Sequence, residues 1–240
     1  MEKVKNHFEE EAKEFDSLIL KLIPYYEEMI TSLTLTIPFN TQETIKILDL
    51  GCGTGNVSKA VKERFPQSKI TCVDLAENMI YMARTKLSNY SDIEYKIGNF
   101  SKLDFDNDYH VIVSSLALHH LKTDEEKKRL YSKIYDALRD GGVFYNADTV
   151  LGSNTYLSKV NVEKWKNYML KNLPMDEVEQ KWLPTHYEED FPASLIDQLD
   201  WLSQIGFKEL DVVWKYYQGA VYGGIKKTVS VKTRSNKIRI

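Results

Sequence analysis

Glycines stand at alternate positions, Gly51, Gly53 and Gly55, directly after the apolar run Ile47-Leu48-Asp49-Leu50, and Asn56 opens a stretch with helical spacing. A strand that breaks into such a loop and then into a helix brings bare backbone up to a ligand, because no Cβ blocks the approach. Asp74 closes the next apolar run, Ile70-Thr71-Cys72-Val73, about 20 residues on, a spacing that suits a carboxylate hydrogen-bonding the hydroxyl pair of a ribose. Loop and acid together predict a site for a nucleoside cofactor.

The spacing also excludes two common phosphate sites. A dinucleotide loop wants glycine at the first, third and sixth positions, and the sixth here is Asn56. A nucleoside-triphosphate loop needs Gly-Lys-Ser/Thr after its intervening residues, and the chain has no such run. A nicotinamide-dependent oxidoreductase is the rival that this argues against.

Histidine titrates near neutrality, so His120, in the run Leu118-His119-His120-Leu121, and His186 are candidate general bases. The plainer reading has one histidine of that run capping a helix or bracing a turn. His119, His120, Asp148 and His186 follow no metal-ligand spacing, and no metal site is expected. Residues beyond Val150 are rich in aromatics (Tyr156, Trp165, Tyr168, Trp182, Tyr187, Trp201), which suit a water-excluding pocket for a planar or cationic group.

Alternating elements must position these groups. Strands are expected at Ile45 to Leu50, Ile70 to Asp74, Ile93 to Ile97, Tyr109 to Ser114 and Val143 to Asp148. Helical spacing fills the intervals. Thr123 and Glu126 predict a capping box for a helix over Glu125 to Arg139, with Gly141-Gly142 ending it. Right-handed crossovers then put the strand C-termini, with Asp49, Asp74, Asn99, Ser115 and Asp148, along one edge, where ligands of such sheets bind. Helices are also expected at Glu2 to Glu14, from Asp16 with a kink or restart at Pro24, at Tyr156 to Leu170, at Met175 to Trp182 and at Ala193 to Gln204. A hairpin should pair Glu209 to Tyr217 with Ala220 to Lys226 through Gln218-Gly219.

The chain has 240 residues, 42% of them apolar and 28% charged, with a formal net charge of −3. That length fits one domain with a sizeable cap. The slight acidity disfavours nucleic acid as a bulk partner. Cys52 and Cys72 form no disulfide framework, no apolar run is long enough to cross a membrane, and the charged N-terminus resembles no signal peptide, which together point to the cytoplasm. The expected layout is a single domain over 1–240. It divides into an N-terminal helical cap (1–40), a cofactor-binding core (41–150), a helical substrate lid (151–205), a terminal β-hairpin (206–227) and a basic tail (228–240).

The run Asp-Leu-Gly-Cys-Gly-Thr-Gly with its downstream acid resembles the class I S-adenosylmethionine-dependent methyltransferases. The resemblance implies a Rossmann-like, doubly wound, mostly parallel seven-stranded sheet with a helical cap, the last strand antiparallel. It implies S-adenosylmethionine as cofactor. Gly51, Gly53 and Gly55 would lie beneath its methionine and ribose, with Asp49 under the loop and Asp74 on the ribose. Leu75 and Met79 would pack on the adenine, Asn99 and Phe100 would meet its edge and face, and Ser115 would edge the site. Phe8, Ala12, Phe15 and Ile23-Pro24-Tyr25-Tyr26 resemble the N-terminal helices of the carboxy-S-adenosylmethionine synthases, a branch serving tRNA modification, in which a tyrosine at the place of Tyr26 contacts the cofactor. This chain departs from that branch at Gly53 and Thr54 and lacks an arginine near Trp182 to Thr185 that would grip a carboxylate. The expected function is methyl transfer to a small-molecule acceptor by a monomer or homodimer. A non-catalytic S-adenosylmethionine-binding module and a carboxy-S-adenosylmethionine synthase-like enzyme are the alternatives.

Overall fold

Apolar residues alternate along the central strands, and the alternation builds a core on each face of one sheet. In a computed structural model, which describes residues 1–227, the strands are β1 (Lys46–Leu50), β2 (Lys69–Asp74), β3 (Ile93–Ile97), β4 (Tyr109–Ser115), β5 (Leu138–Thr149), β6 (Phe207–Tyr216) and β7 (Gly219–Lys226). Leu48, Leu50 and Ile112 point into one core, with Tyr131, Ile134, Trp201 and Leu202. Ile47, Val111 and Val113 point into the other, with Met29, Leu33, Val57 and Val61. The basic tail expected at 228–240 lies outside the described residues.

The sheet order is β3-β2-β1-β4-β5-β7-β6. β1 to β5 run parallel, and β7 is antiparallel to both its neighbours. This is the expected Rossmann-like sheet. The strand order reverses at β1 and β4, so a crevice opens beyond their C-terminal ends, where the glycine loop and Ser115 lie.

Helices α1 (Glu2–Glu11), α2 (Phe15–Leu22) and α3 (Tyr26–Leu35) precede the sheet, and the restart foreseen at Pro24 falls between α2 and α3. α4 (Asn56–Arg64), α5 (Glu77–Lys86) and α6 (Asp124–Ala137) fill the crossovers, and α6 carries the foreseen capping box of Thr123 and Glu126. Two carboxylates fasten the N-terminal helices to this core. Glu9 accepts the Glu77 and Asn78 amides at 2.6 and 2.8 Å, capping α5 from α1. Asp16 accepts from Thr54 Oγ1 at 2.6 Å and from Lys86 Nζ at 2.7 Å, tying α2 to the glycine loop.

Two local expectations need correction. Gly141 and Gly142 do not end the preceding helix. α6 stops at Ala137, Leu138 is already extended, and both glycines lie inside β5 beside a register shift at Tyr109/Val111. A Cβ at Gly142 would sit 2.9 Å from the Arg139 and Tyr109 carbonyl oxygens, so close strand packing is what requires glycine there. The segment from Met175 does not stop at Trp182 either. α7 (Thr155–Met169) is followed by α8 (Met175–Glu177), a π-turn over Val178–Trp182 and α9 (Leu183–Glu189). Pro184 follows the π-turn within continuous helical backbone, and its missing N–H leaves a gap in the hydrogen-bond ladder there. α10 (Leu195–Ile205) then leads through Gly206 into β6.

Candidate functional site

Each glycine of the loop has a positive φ: +70° at Gly51, +53° at Gly53 and +86° at Gly55. Their surroundings differ. A Cβ on Gly51 would lie 2.2 Å from Ala117 Cβ, so this residue is needed for packing. A Cβ on Gly55 would press on Leu87 and Ala83 of the α5 region, and Gly55 serves as the N-cap of α4 without lining the cavity. A Cβ on Gly53 would meet only Phe15, at 4.0 Å, and would instead take up space in the cavity above the loop.

Gly51, Gly53, Tyr26, Asp74, Leu75, Met79, Phe100, Ser115 and His120 line that cavity together, and Met1, Val4, Phe8 and Phe15 close it from the N-terminal helices. Asp74 Oδ2 accepts the Gly53 amide at 2.8 Å, and Oδ1 accepts the Ala76 amide at 2.9 Å. Burial raises the Asp74 pKa, and these amides pull against that rise. Tyr26 accepts a hydrogen bond from Asn56 Nδ2 at 3.2 Å. Ser115 Oγ is buried with no hydrogen-bond partner among the described residues.

Besides Gly55, two expected residues do not line the cavity, although Asp49 lies beneath the loop as expected. Asp49 is fully buried under the loop, where it accepts from Ser58 Oγ at 2.6 Å, and burial pushes its carboxyl up to about 7. Asn99 does not line the cavity, and its carboxamide oxygen accepts the Ser101 amide at 2.9 Å and the Ser101 hydroxyl at 2.6 Å.

The expected cofactor fits what lies here. The site offers an unpartnered hydroxyl (Ser115), a carboxylate held in place by backbone amides (Asp74), and open space above Gly53 that a side chain would fill.

A second cavity adjoins the first, and Phe8, Phe15, Leu116 and His120 belong to the walls of both. Its far side is Trp165, Trp182, His186, Glu189 and Asp190. Trp165 Nε1 donates to the Leu22 carbonyl at 2.8 Å, and Tyr168 donates to the Leu20 carbonyl at 2.7 Å, so α7 closes on α2.

Four of the five histidines meet at this second cavity. His119 braces its turn, as the plainer reading had it. Its amide donates to Asp148 at 3.1 Å, and its Nδ1 is bonded to the same carboxylate. Burial opposes charge on His119, but Asp148 and Asp190 on either side outweigh it and hold its pKa up at about 10. Burial and the neighbouring His119 push His120 down to about 4, so its imidazole is neutral at physiological pH. His120 Nδ1 lies 3.1 Å from the Glu189 carbonyl oxygen. His186 Nδ1 lies 2.7 Å from Asp190 Oδ2, and the ring tilts against Trp165 with centroids 5.0 Å apart. His7 lies between Glu11 and Glu189, at 3.0 and 2.9 Å.

His7, Glu11, Glu189 and Asp190 were not singled out from the sequence. The i,i+4 pair His186/Asp190 was the available signal, and it needed α9 to be recognised as a helix.

Residues 47–142 match the family model described as a methyltransferase domain. The chain is 26% identical over 212 residues to the carboxy-S-adenosyl-L-methionine synthase of Campylobacter lari, covering 85% of this chain and 87% of that protein. The Nautilia profundicola protein of the same name is 25% identical over 221 residues, with 91% and 93% covered. Among solved structures, human N-acetylserotonin methyltransferase in complex with S-adenosylmethionine superposes with a TM-score of 0.57 at 18% identity, covering 83% of this chain and 52% of that one.

Proposed function

Because the chain belongs to the class I S-adenosylmethionine-dependent methyltransferases, we propose that it transfers a methyl group to a small molecule held in the second cavity. The observation that carries this reading is the shared wall: Phe8, Phe15, Leu116 and His120 border both the glycine-loop cavity and the aromatic one. Two reactants bound on either side of that wall meet at His120.

The bound cofactor supplies a methyl carbon already activated by its sulfonium. In an in-line displacement the acceptor's lone pair bonds to that carbon as the carbon–sulfur bond breaks. The protein's part is alignment and exclusion of water. In this reading Gly51, Gly53, Asp74, Leu75, Met79, Phe100, Ser115 and Tyr26 hold the cofactor. Residues 1–40 and 151–205 close over the core formed by 41–150. Neutral His120 accepts a hydrogen bond from an acceptor that arrives protonated, and His186 shapes the far side of the pocket. The aromatic walls suit a small planar acceptor better than a polymer.

The curated relatives named above suggest a second reading, formation of a carboxylated cofactor. Among the described residues no arginine lines either cavity to grip a carboxylate, which favours plain methyl transfer. The test is incubation with S-adenosylmethionine and panels of small amines, thiols and hydroxyl compounds, followed by mass spectrometry. Release of S-adenosylhomocysteine with a methylated acceptor supports the proposal. A carboxylated cofactor, or no turnover with any panel, would overturn it.

A further inference from the structure

Three nitrogen atoms face the single carboxylate of Asp190. His119 Nε2 stands 3.3 Å and His120 Nδ1 3.4 Å from Oδ1, while His186 Nδ1 lies 2.7 Å from Oδ2. The last distance is that of a charge-assisted hydrogen bond; the first two are too long for one, such bonds closing to ~2.7–2.9 Å. They match another geometry. Donor atoms ~2.0–2.1 Å from a tetrahedral zinc ion lie ~3.3–3.4 Å from one another. One donor atom from each of His119, His120 and Asp190 lies within 4.8 Å of the others.

From this arrangement we propose that His119, His120 and Asp190 bind one divalent transition-metal ion of the zinc class, with its fourth position open to the aromatic cavity. The supporting groups are already in place. Asp148 is bonded to His119 Nδ1, which turns Nε2 toward Asp190, and His186 fixes the other oxygen of Asp190. Such outer partners orient the ligands of metal sites. Two histidines, one carboxylate and one open position make the ligand set of a metal that holds a substrate. His120 Nδ1 contacts the Glu189 carbonyl oxygen at 3.1 Å, and an incoming ion displaces that contact as the Nδ1 proton of His120 and the Nε2 proton of His119 pass to solvent.

The spacing of these residues along the chain matched no metal pattern, because the ligands come from a 3₁₀ turn over Leu118–His120 and from the end of α9, brought together only by the fold. The open position faces the pocket assigned above to the acceptor, and in that respect alone the inference rests on the methyl-transfer reading. The ion would take a hydroxyl, thiol or amine of the acceptor as its fourth ligand, with His120 then serving as ligand rather than as hydrogen-bond acceptor.

The test is calorimetric titration of Zn²⁺ into the chelator-treated full chain, followed by Co²⁺ substitution and visible absorption spectroscopy. The expected result is one ion per chain and the intense ligand-field bands of four-coordinate cobalt. Asp190→Asn should abolish both, His186→Asn should weaken affinity ~10–100-fold, and His110→Asn, at the far end of β4, should change neither. No stoichiometric binding by the wild type, or binding that survives Asp190→Asn, overturns the proposal. If circular dichroism shows Asp190→Asn unfolded, His186→Asn decides: unchanged affinity overturns the site. Calorimetry with S-adenosylmethionine on the same samples separates the two readings, since cofactor binding without metal binding removes this inference and leaves the methyltransferase standing.

Discussion

The Gly53 amide donates to Asp74 Oδ2 at 2.8 Å, so the tip of the glycine loop and the acid at the end of β2 are joined directly. The carboxylate that the sequence marks for a ribose is thus also the group that holds the loop in shape. Its two oxygens accept one backbone amide each and keep lone pairs for a ligand.

Removing that carboxylate should therefore act twice. Asp74→Ala is expected to weaken S-adenosylmethionine binding by about 1.5–3 kcal/mol in calorimetry, the range for hydrogen bonds to a charged group. It should also lower the urea midpoint, since the Gly53 and Ala76 amides lose their acceptor. Wild-type affinity in the variant would remove Asp74 from the site.

Ser115 offers the opposite combination. Its buried hydroxyl has no partner among the described residues, so Ser115→Ala should cost no stability. If the cofactor satisfies that hydroxyl, affinity falls by about 1 kcal/mol. Calorimetry beside thermal denaturation reads both quantities, and a variant that is less stable but binds normally would contradict the assignment.

Gly51 has room for no side chain. With its Cβ position 2.2 Å from Ala117 Cβ and φ at +70°, Gly51→Ala should destabilise the fold by about 1–3 kcal/mol. Chemical denaturation measures this. An unchanged midpoint would mean that the loop and Ala117 separate without cost.

His7 predicts a pH dependence. Glu11 bonds it from α1, Glu189 bonds it from α9, and these carboxylates raise its pKa from 6.5 to about 9 against the effect of burial. Lys181 also contacts Glu11, at 2.6 Å. A folded-state pKa above the unfolded one gives stability that is complete below pH 6.5 and is lost as pH rises through about 9. Urea midpoints should fall across that window in the wild type and fall less in His7→Gln. Parallel curves for the two proteins would refute the coupling.

Much of this was legible in the chain. Ile47-Leu48-Asp49-Leu50 followed by alternate glycines marks strand, loop and helix through local rules alone, and Thr123 with Glu126 announces its own cap. Gly141-Gly142 misled because a glycine pair reads equally well as a helix stop or as close strand packing, and only the neighbouring Tyr109 carbonyl decides between them. Asn99 misled in a similar way, since Ser101 takes its carboxamide oxygen within the same turn. The histidine cluster was illegible for a different reason. His7, His119 and His186 are far apart in sequence, and what unites them is the closing of α1 and α9 over the end of β5.

Glu9 caps α5 from α1, and α1 supplies Val4 and Phe8 to the wall above the glycine loop. If α1 swings away to release a nucleoside from that chamber, the bonds between the half-buried Glu9 carboxylate and two amides at the solvent edge break. Dissolved ions compete for those partners. Exchange of spent for fresh nucleoside should therefore quicken with ionic strength while the rate of a single bound turnover stays constant, so that the salt response of steady-state kinetics reports how often this door opens.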